Sequence, residues 1–221
     1  MLFRSQLSLG AAGFMSVGAY VGAMLSLKAD LPIIVGIIIG GLVASLVAVI
    51  IGLPTTRLRG LYLAIATLGF GEVVRVIFLN LDVTNGALGL SGIPSIPQEL
   101  TNYAYEFDID GLMGLDAVTW GNLMAIIILL VVLALIIAFC VRINNSRVGR
   151  AFAAIKADDH AAELMGINVV YYKMMAFIIG AFIAGIGGGL YAHITNFINP
   201  TDFSYHKVVQ ILLFPVFGGS N

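Results

Sequence analysis

Glu72 and Arg75 stand three residues apart inside an otherwise apolar run, Leu61–Leu81. At that spacing they share one helix face and can pair. A charge at the bilayer centre costs about 2.5–3.5 kcal/mol on insertion scales. Such a pair therefore either fixes helix register as a mutually satisfied unit or stands beside a wet path that moves solutes. Both readings are open on these residues alone. A second stretch, Asp82–Pro94, carries Asn85, Gly86 and Gly89. Its glycines admit backbone conformations that other residues resist, so the chain there can line a small polar site or simply turn. A third stretch, Arg147–Ala157, favours helix by propensity. Asp158 or Asp159 can cap a second short helix, His160–Met165, which Gly166 would end. A short helical pair projecting from a membrane bundle is suited to receive force from a soluble partner. An interfacial helix lying on the headgroups is the alternative, and the Ala-rich surface is weakly hydrophobic for that role.

Other chemistries lack their residues. No phosphate-binding Gly-x-x-x-x-Gly-Lys-Ser/Thr loop and no nucleophile elbow occurs. His160, His193 and His206 are scattered without metal-ligand spacing. Cys140 is the single cysteine, so no intrachain disulfide can form. The expectation is a chain that is no enzyme itself and has no metal, no cofactor and no nucleic-acid partner.

The elements that must position these residues are set by composition. Hydrophobic residues make up 60% of the 221 and charged residues 10%, where a soluble domain carries about a quarter charged. A helix needs roughly 20 apolar residues to cross a bilayer. Five runs meet that length: Leu7–Leu27, Pro32–Leu53, Leu61–Leu81, Trp120–Val141 and Met174–Ile194. A shorter sixth, Val208–Phe217, is interrupted by Pro215. Backbone groups in lipid must pair within the segment, so the runs are expected to be helices. The runs are continuous rather than alternating, which excludes a barrel. The expected fold is all-α, a polytopic transmembrane bundle of about five complete spans and a partial sixth, forming a single domain over residues 1–221.

Charge sorting orients the bundle. No Lys or Arg occurs from Val76 to Val141, and the loop within it carries Asp82, Glu99, Glu106, Asp108, Asp110 and Asp116. Arg57 and Arg59 sit in one short loop, and Arg142, Arg147, Arg150, Lys156 and Lys173 in a longer one. Placing the basic loops and Arg4 inside satisfies the positive-inside rule. The expectation is a cytoplasmic N-terminus, a cytoplasmic loop at 142–173 and an acidic extracytoplasmic loop at 82–119, exposed beyond Pro97. Lys28 and Lys207 are left outside. Small residues recur every fourth position at Gly36, Gly40, Ala44, Ala48 and Gly52, and again at Ala176, Gly180, Ala184, Gly188 and Ala192. In lipid, close backbone approach drives helix association, so both strips are expected in helix–helix contacts. A sliding surface used in transport is the functional alternative.

The stretch Arg57-Leu58-Arg59-Gly60-Leu61-Tyr62-Leu63-Ala64-Ile65-Ala66-Thr67-Leu68-Gly69-Phe70-Gly71-Glu72-Val73-Val74-Arg75 resembles the signature of LivM-type permeases, membrane subunits of ABC importers for branched-chain amino acids. Gln6–Gly10, Asn85–Pro94, Asn145–Phe152, Ala161–Ile167 and Gly188–Ala192 are similar to that family as well. Ala161, Ala162 and Gly166 match the Ala-Ala-x-x-x-Gly core of the importer coupling loop, and His160 stands where many importers carry Glu. The resemblance implies that Arg150, Ala161, Ala162, Glu163 and Gly166 dock into the ATP-binding subunits. It also implies ATP hydrolysis on those separate subunits, a periplasmic or extracellular substrate-binding protein, and a second permease subunit completing a hetero-oligomer in the bacterial inner membrane. The cargo would be leucine, isoleucine, valine or a related small solute. Glu72, Arg75, Asn85, Gly86 and Gly89 are the candidates for the translocation path or its gate. Family members carry further segments before the residues matching Gln6–Gly10 and a glycine-rich continuation after Phe217–Asn221, so a permease truncated at both ends is expected. An ion-coupled secondary carrier is the alternative, suggested by the Glu72/Arg75 pair and the glycine-interrupted helices; a non-transporting scaffold is a third.

Overall fold

The computed structural model describes residues 10–55, 61–106, 116–204 and 209–210. Eight α-helices occur among them: α1 (Ala11–Lys28), α2 (Ile33–Thr55), α3 (Leu61–Asn80), α4 (Ile96–Glu106), α5 (Ala117–Asn144), α6 (Arg147–Ala157), α7 (Asp159–Leu164) and α8 (Val169–Thr195). The fold is all-α. Helices α1, α2, α5 and α8 are long and apolar enough to cross a membrane, and the 20-residue α3 covers the run with the charged pair. Each of the five long helices coincides with an expected span to within a few residues. Arg4, Gln6–Leu9, Arg57–Gly60, Asp108, Asp110, His206, Lys207 and nearly all of Val208–Phe217, with Pro215, lie outside the described residues.

Glycine decides how the helices meet. A Cβ on Gly18 would overlap the backbone of Gly185, and one on Gly40 would press on the Gly18 carbonyl. Similarly, Gly22 faces both Gly36 and Gly189. The Gly36–Gly52 strip thus lies in the α2 contacts, where Ala44 and Ala48 are fully buried. On α8, Gly188 of the expected strip carries the closest approach, a Cβ there overlapping the Met15 carbonyl, Ala192 is fully buried, and Gly185 and Gly189 beside the strip add contacts with α2. Order along these contacts gives direction. Gly18 and Ser26 of α1 meet Gly185 and His193 of α8, so the two run parallel. Gly13 meets Gly71, and Tyr20 stacks on Phe78, so α3 also runs parallel to α1. Gly22 meets Gly36 while Gly18 meets Gly40, so α2 runs the other way. That is the relation which alternate crossing of a bilayer requires.

Two local features add to the sequence reading. Within the 82–119 stretch, Ile96–Glu106 forms a helix, α4. Ser95 starts it by accepting from the Gln98 N–H at 3.1 Å, and Pro97 suits a first helical turn. Tyr103 and Tyr105 remain exposed as expected. A two-residue antiparallel pair, β1 (Leu90–Ser91) with β2 (Phe197–Ile198), joins segments more than 100 residues apart, in register Leu90↔Ile198 and Ser91↔Phe197. Backbone groups that no helix uses are satisfied there.

Candidate functional site

The projecting pair α6–α7 is built as a rigid unit. Ser146 caps α6, its Oγ accepting from the N–H of Val148 at 3.2 Å and of Gly149 at 3.4 Å. Gly149 is packed so tightly on the end of α5 that a Cβ would overlap the Asn144 carbonyl. Asp158 caps α7, accepting from His160 N–H at 2.8 Å and Ala161 N–H at 3.1 Å. Those two backbone donors, Ala161 first, hold its carboxyl below the usual range. Gly166 ends the pair at φ +80, a conformation that costs other residues about 1–2 kcal/mol. Ile155, Ala162 and Val169 form a small core with Ile167 and Tyr172, and Lys173 pairs with Asp159. The loop is therefore tied to the first turn of α8.

Its candidate residues divide by exposure. Arg150, Ala161, Glu163 and Gly166 face outward, whereas Ala162 is fully buried in the small core. Leu164 and Met165 are the residues that sequence reasoning passed over: they are 90% and 72% exposed. Two large apolar side chains thus stand exposed at the tip of a polar helix. The available signal was their place at the end of α7, immediately before the capping glycine.

At the other end of α8, the glycine loop is strapped to the turn that follows the helix. Thr84 donates to the carbonyls of Phe78 and Leu81, each at 2.8 Å. Asn85 (φ 56) and Gly86 (φ 52) reverse the chain. Gly89 (φ 77) lies so close to the Ile198 carbonyl that no side chain fits. Asn199 donates through Nδ2 to the Ala87 carbonyl at 3.0 Å and caps a 3-10 turn, Pro200–Phe203, in a reciprocal box with Asp202. The loop and the α6–α7 pair are thus separated by the 27 residues of α8, about 40 Å at the helical rise.

Glu72 and Arg75 do pair, with Arg75 Nε donating to Glu72 Oε1 at 2.9 Å and Nη2 sharing the same oxygen. Their side chains are 48% and 22% exposed on a face of α3 that also shows Val73, Val76 and Ile77. The structure does not bring them to Asn85, Gly86 or Gly89, which lie beyond the end of α3.

One polar contact inside the bundle was missed. His193 is fully buried; its Nδ1 lies 2.7 Å from the Gly189 carbonyl and its Nε2 2.9 Å from Ser26 Oγ. A carbonyl only accepts, so Nδ1 carries a proton. In the neutral ring Nε2 then accepts from the Ser26 hydroxyl, which has the Gly22 carbonyl at 3.1 Å as its other acceptor. The clue was spacing: Ser26 and His193 each follow an interface glycine, Gly22 and Gly189, by one turn.

Comparison with known proteins places these features. The family described as "branched-chain amino acid transport system / permease component" matches residues 1–221. The chain is 33% identical over 223 residues to the high-affinity branched-chain amino acid transport system permease protein LivM of Salmonella typhimurium, covering 96% of this chain and 52% of that protein. It is 35% identical over 225 residues to the LivM protein of Escherichia coli, with the same coverages, 96% and 52%. The chain thus spans about half the length of these curated relatives. No solved structure matches it.

Proposed function

The chain belongs to the family of branched-chain amino acid transport permease components, and on that premise we propose that it forms part of the membrane pore of an ATP-driven importer for leucine, isoleucine, valine or a related small solute. The observation that carries the proposal is the α6–α7 pair: capped at both helices, packed on its own core and tied to α8, with Leu164 and Met165 exposed at its tip. A unit of that kind passes a push from a soluble partner into the bundle without deforming. In this reading the soluble partner is an ATP-binding subunit, and Ala161, Glu163, Leu164, Met165 and Gly166 meet it while Arg150 lies beside the contact. Ala162 acts from within, holding α7 on α8. The end bearing α6–α7 is cytoplasmic, as is the N-terminus; the glycine loop and α4 face the substrate-binding protein outside. A second permease subunit completes the passage, and the exposed Glu72–Arg75 pair stands beside that passage rather than in lipid, where its cost would be greatest.

The test is radiolabelled leucine uptake in cells with and without the gene, under ATP depletion and separately under collapse of the proton gradient. Uptake that requires the gene and falls with ATP alone is expected. Gene-dependent uptake that falls with the gradient alone would replace this reading by an ion-coupled carrier.

A further inference from the structure

Ser16 and Tyr20 stand one turn apart on the side of α1 turned toward α3 and the Pro200–Phe203 turn. They are 1% and 0% exposed, and among the described residues neither Ser16 Oγ nor the Tyr20 hydroxyl has a hydrogen-bond partner. Other helical hydroxyls of this chain behave differently. Ser45, Thr101 and Thr195 each donate to the carbonyl four residues earlier. Ser16 leaves that option unused. A buried donor without a partner bears its full desolvation penalty, and native structures keep such groups where something other than the fold satisfies them.

The surroundings narrow what that is. Val17, Val74 and Phe78 share one buried cluster with Tyr20. Phe14 and Phe70 pack at 5.1 Å toward the inner end, and Phe203 lies 6.3 Å from the Tyr20 ring toward the outer end. The seam is apolar apart from these two hydroxyls, which can both donate and accept, and the Asp202 carboxylate that faces Tyr20 from the Pro200–Phe203 turn at the outer end. The helices around it are also unequally fixed. Facing α2 and α8, α1 packs backbone on backbone through Gly18 and Gly22. Facing α3 it does so only near Gly13, and beyond that the contact is made by aromatic side chains.

We propose that this seam between α1 and α3 is the polar station on the amino-acid path, where Ser16 and Tyr20 hold the zwitterionic head of the substrate and Val17 and Val74 bound its aliphatic side chain. This rests on the importer reading above. The Ser16 O–H takes the α-carboxylate, and the Tyr20 oxygen, on the side of Asp202, takes the ammonium. The seam is closed in this structure, and separation of α3 from the glycine-locked core of α1, α2 and α8 opens it.

The experiment compares Ser16→Ala and Tyr20→Phe with the wild type, in the complex assembled with its ATP-binding subunits and its binding protein. It measures leucine uptake kinetics and thermal stability. Each variant removes one hydroxyl and almost no volume. Leucine uptake at limiting substrate is expected to fall roughly tenfold or more, the scale of one hydrogen bond to a charged group, with unfolding temperature unchanged or slightly raised. Wild-type uptake in both variants overturns the station and leaves the importer reading standing. A lowered unfolding temperature in either variant also overturns it, because the hydroxyl then had a partner within the fold. No branched-chain uptake even by the wild-type complex removes the importer reading and this proposal with it.

Discussion

At the scale of single residues, backbone contact outweighs hydrogen bonding in this bundle. A side chain on Gly18 would be driven into the Gly185 backbone, whereas a methyl group on Gly187 would meet nothing within 4 Å. Gly18→Leu is expected to destabilise by about 3 kcal/mol, the upper range for overpacking. Gly187→Ala is expected to be neutral or stabilising by up to about 1 kcal/mol, since alanine is the better helix former. Ser26→Ala removes the hydroxyl facing His193 at 2.9 Å, and interhelical bonds in membranes average about 0.6 kcal/mol. Thermal unfolding of the three purified variants should place Gly18→Leu lowest, Ser26→Ala next and Gly187→Ala highest; a Ser26→Ala loss as large as that of Gly18→Leu would reverse the argument. The strips on α2 and α8 were legible because small residues at every fourth position form one face. Gly18 and Gly22 of α1 stand at the same spacing, but which helices they meet was not legible, because the register of the partner helices sets it.

The element that matters most is α7. Its start rests on Asp158 and its stop on Gly166, at φ +80 with no atom within 4 Å of an added Cβ. A bulky residue at Gly166 therefore meets strain without a clash. Gly166→Leu should abolish uptake while leaving membrane insertion and the α1–α2–α8 core intact; uptake at the wild-type level would count heavily against a coupling role. Leu164→Ser is expected to weaken docking of the ATP-binding subunits in a pull-down without altering α7 itself, because its side chain is 90% exposed. The cap adds a pH dependence. A carboxyl held below its usual range stabilises the fold above its unfolded value and loses that contribution as pH falls through the lowered folded value. Exchange protection of the His160 and Ala161 amides should thus stay flat from neutral to mildly acidic pH and drop only in strong acid. Both helix boundaries here were readable, since caps are local chemistry. The burial of Ala162 and the exposure of Leu164 and Met165 were not, because they depend on where the first turn of α8 lies.

For the molecule as a whole, the consequence is a polarised bundle with the coupling pair at one end and the strapped glycine loop at the other. Sidedness can be read directly. With Cys140→Ser as background, Leu164→Cys should react with an impermeant thiol reagent only after the cells are opened. Tyr103→Cys, on the exposed side of α4, should react in intact spheroplasts. The reverse pattern would turn the proposed orientation over. The strap is a product of this scale as well: Leu90 with Ile198, and Asn199 with Ala87, pair segments that no local pattern relates. Asn199→Ala is expected to loosen the 82–92 loop, seen as faster amide exchange at Leu90 and Ser91, without disturbing the long helices.

By itself the sequence determined which segments are helices, where α6 and α7 start and stop, and which family the chain belongs to. Those properties follow from hydropathy over about 20 residues, from caps within one turn, and from motifs in continuous stretches. Tertiary structure alone decided which glycines touch, that Ser26 meets His193, that Glu72 and Arg75 satisfy each other on an exposed face, and that Ser16 and Tyr20 are buried with no partner among the described residues. The physical reason is that a side chain's partner across a helix interface depends on the rotation and register of two helices far apart in the chain, and lipid, being equally apolar on every side, leaves no hydropathy signal that records them.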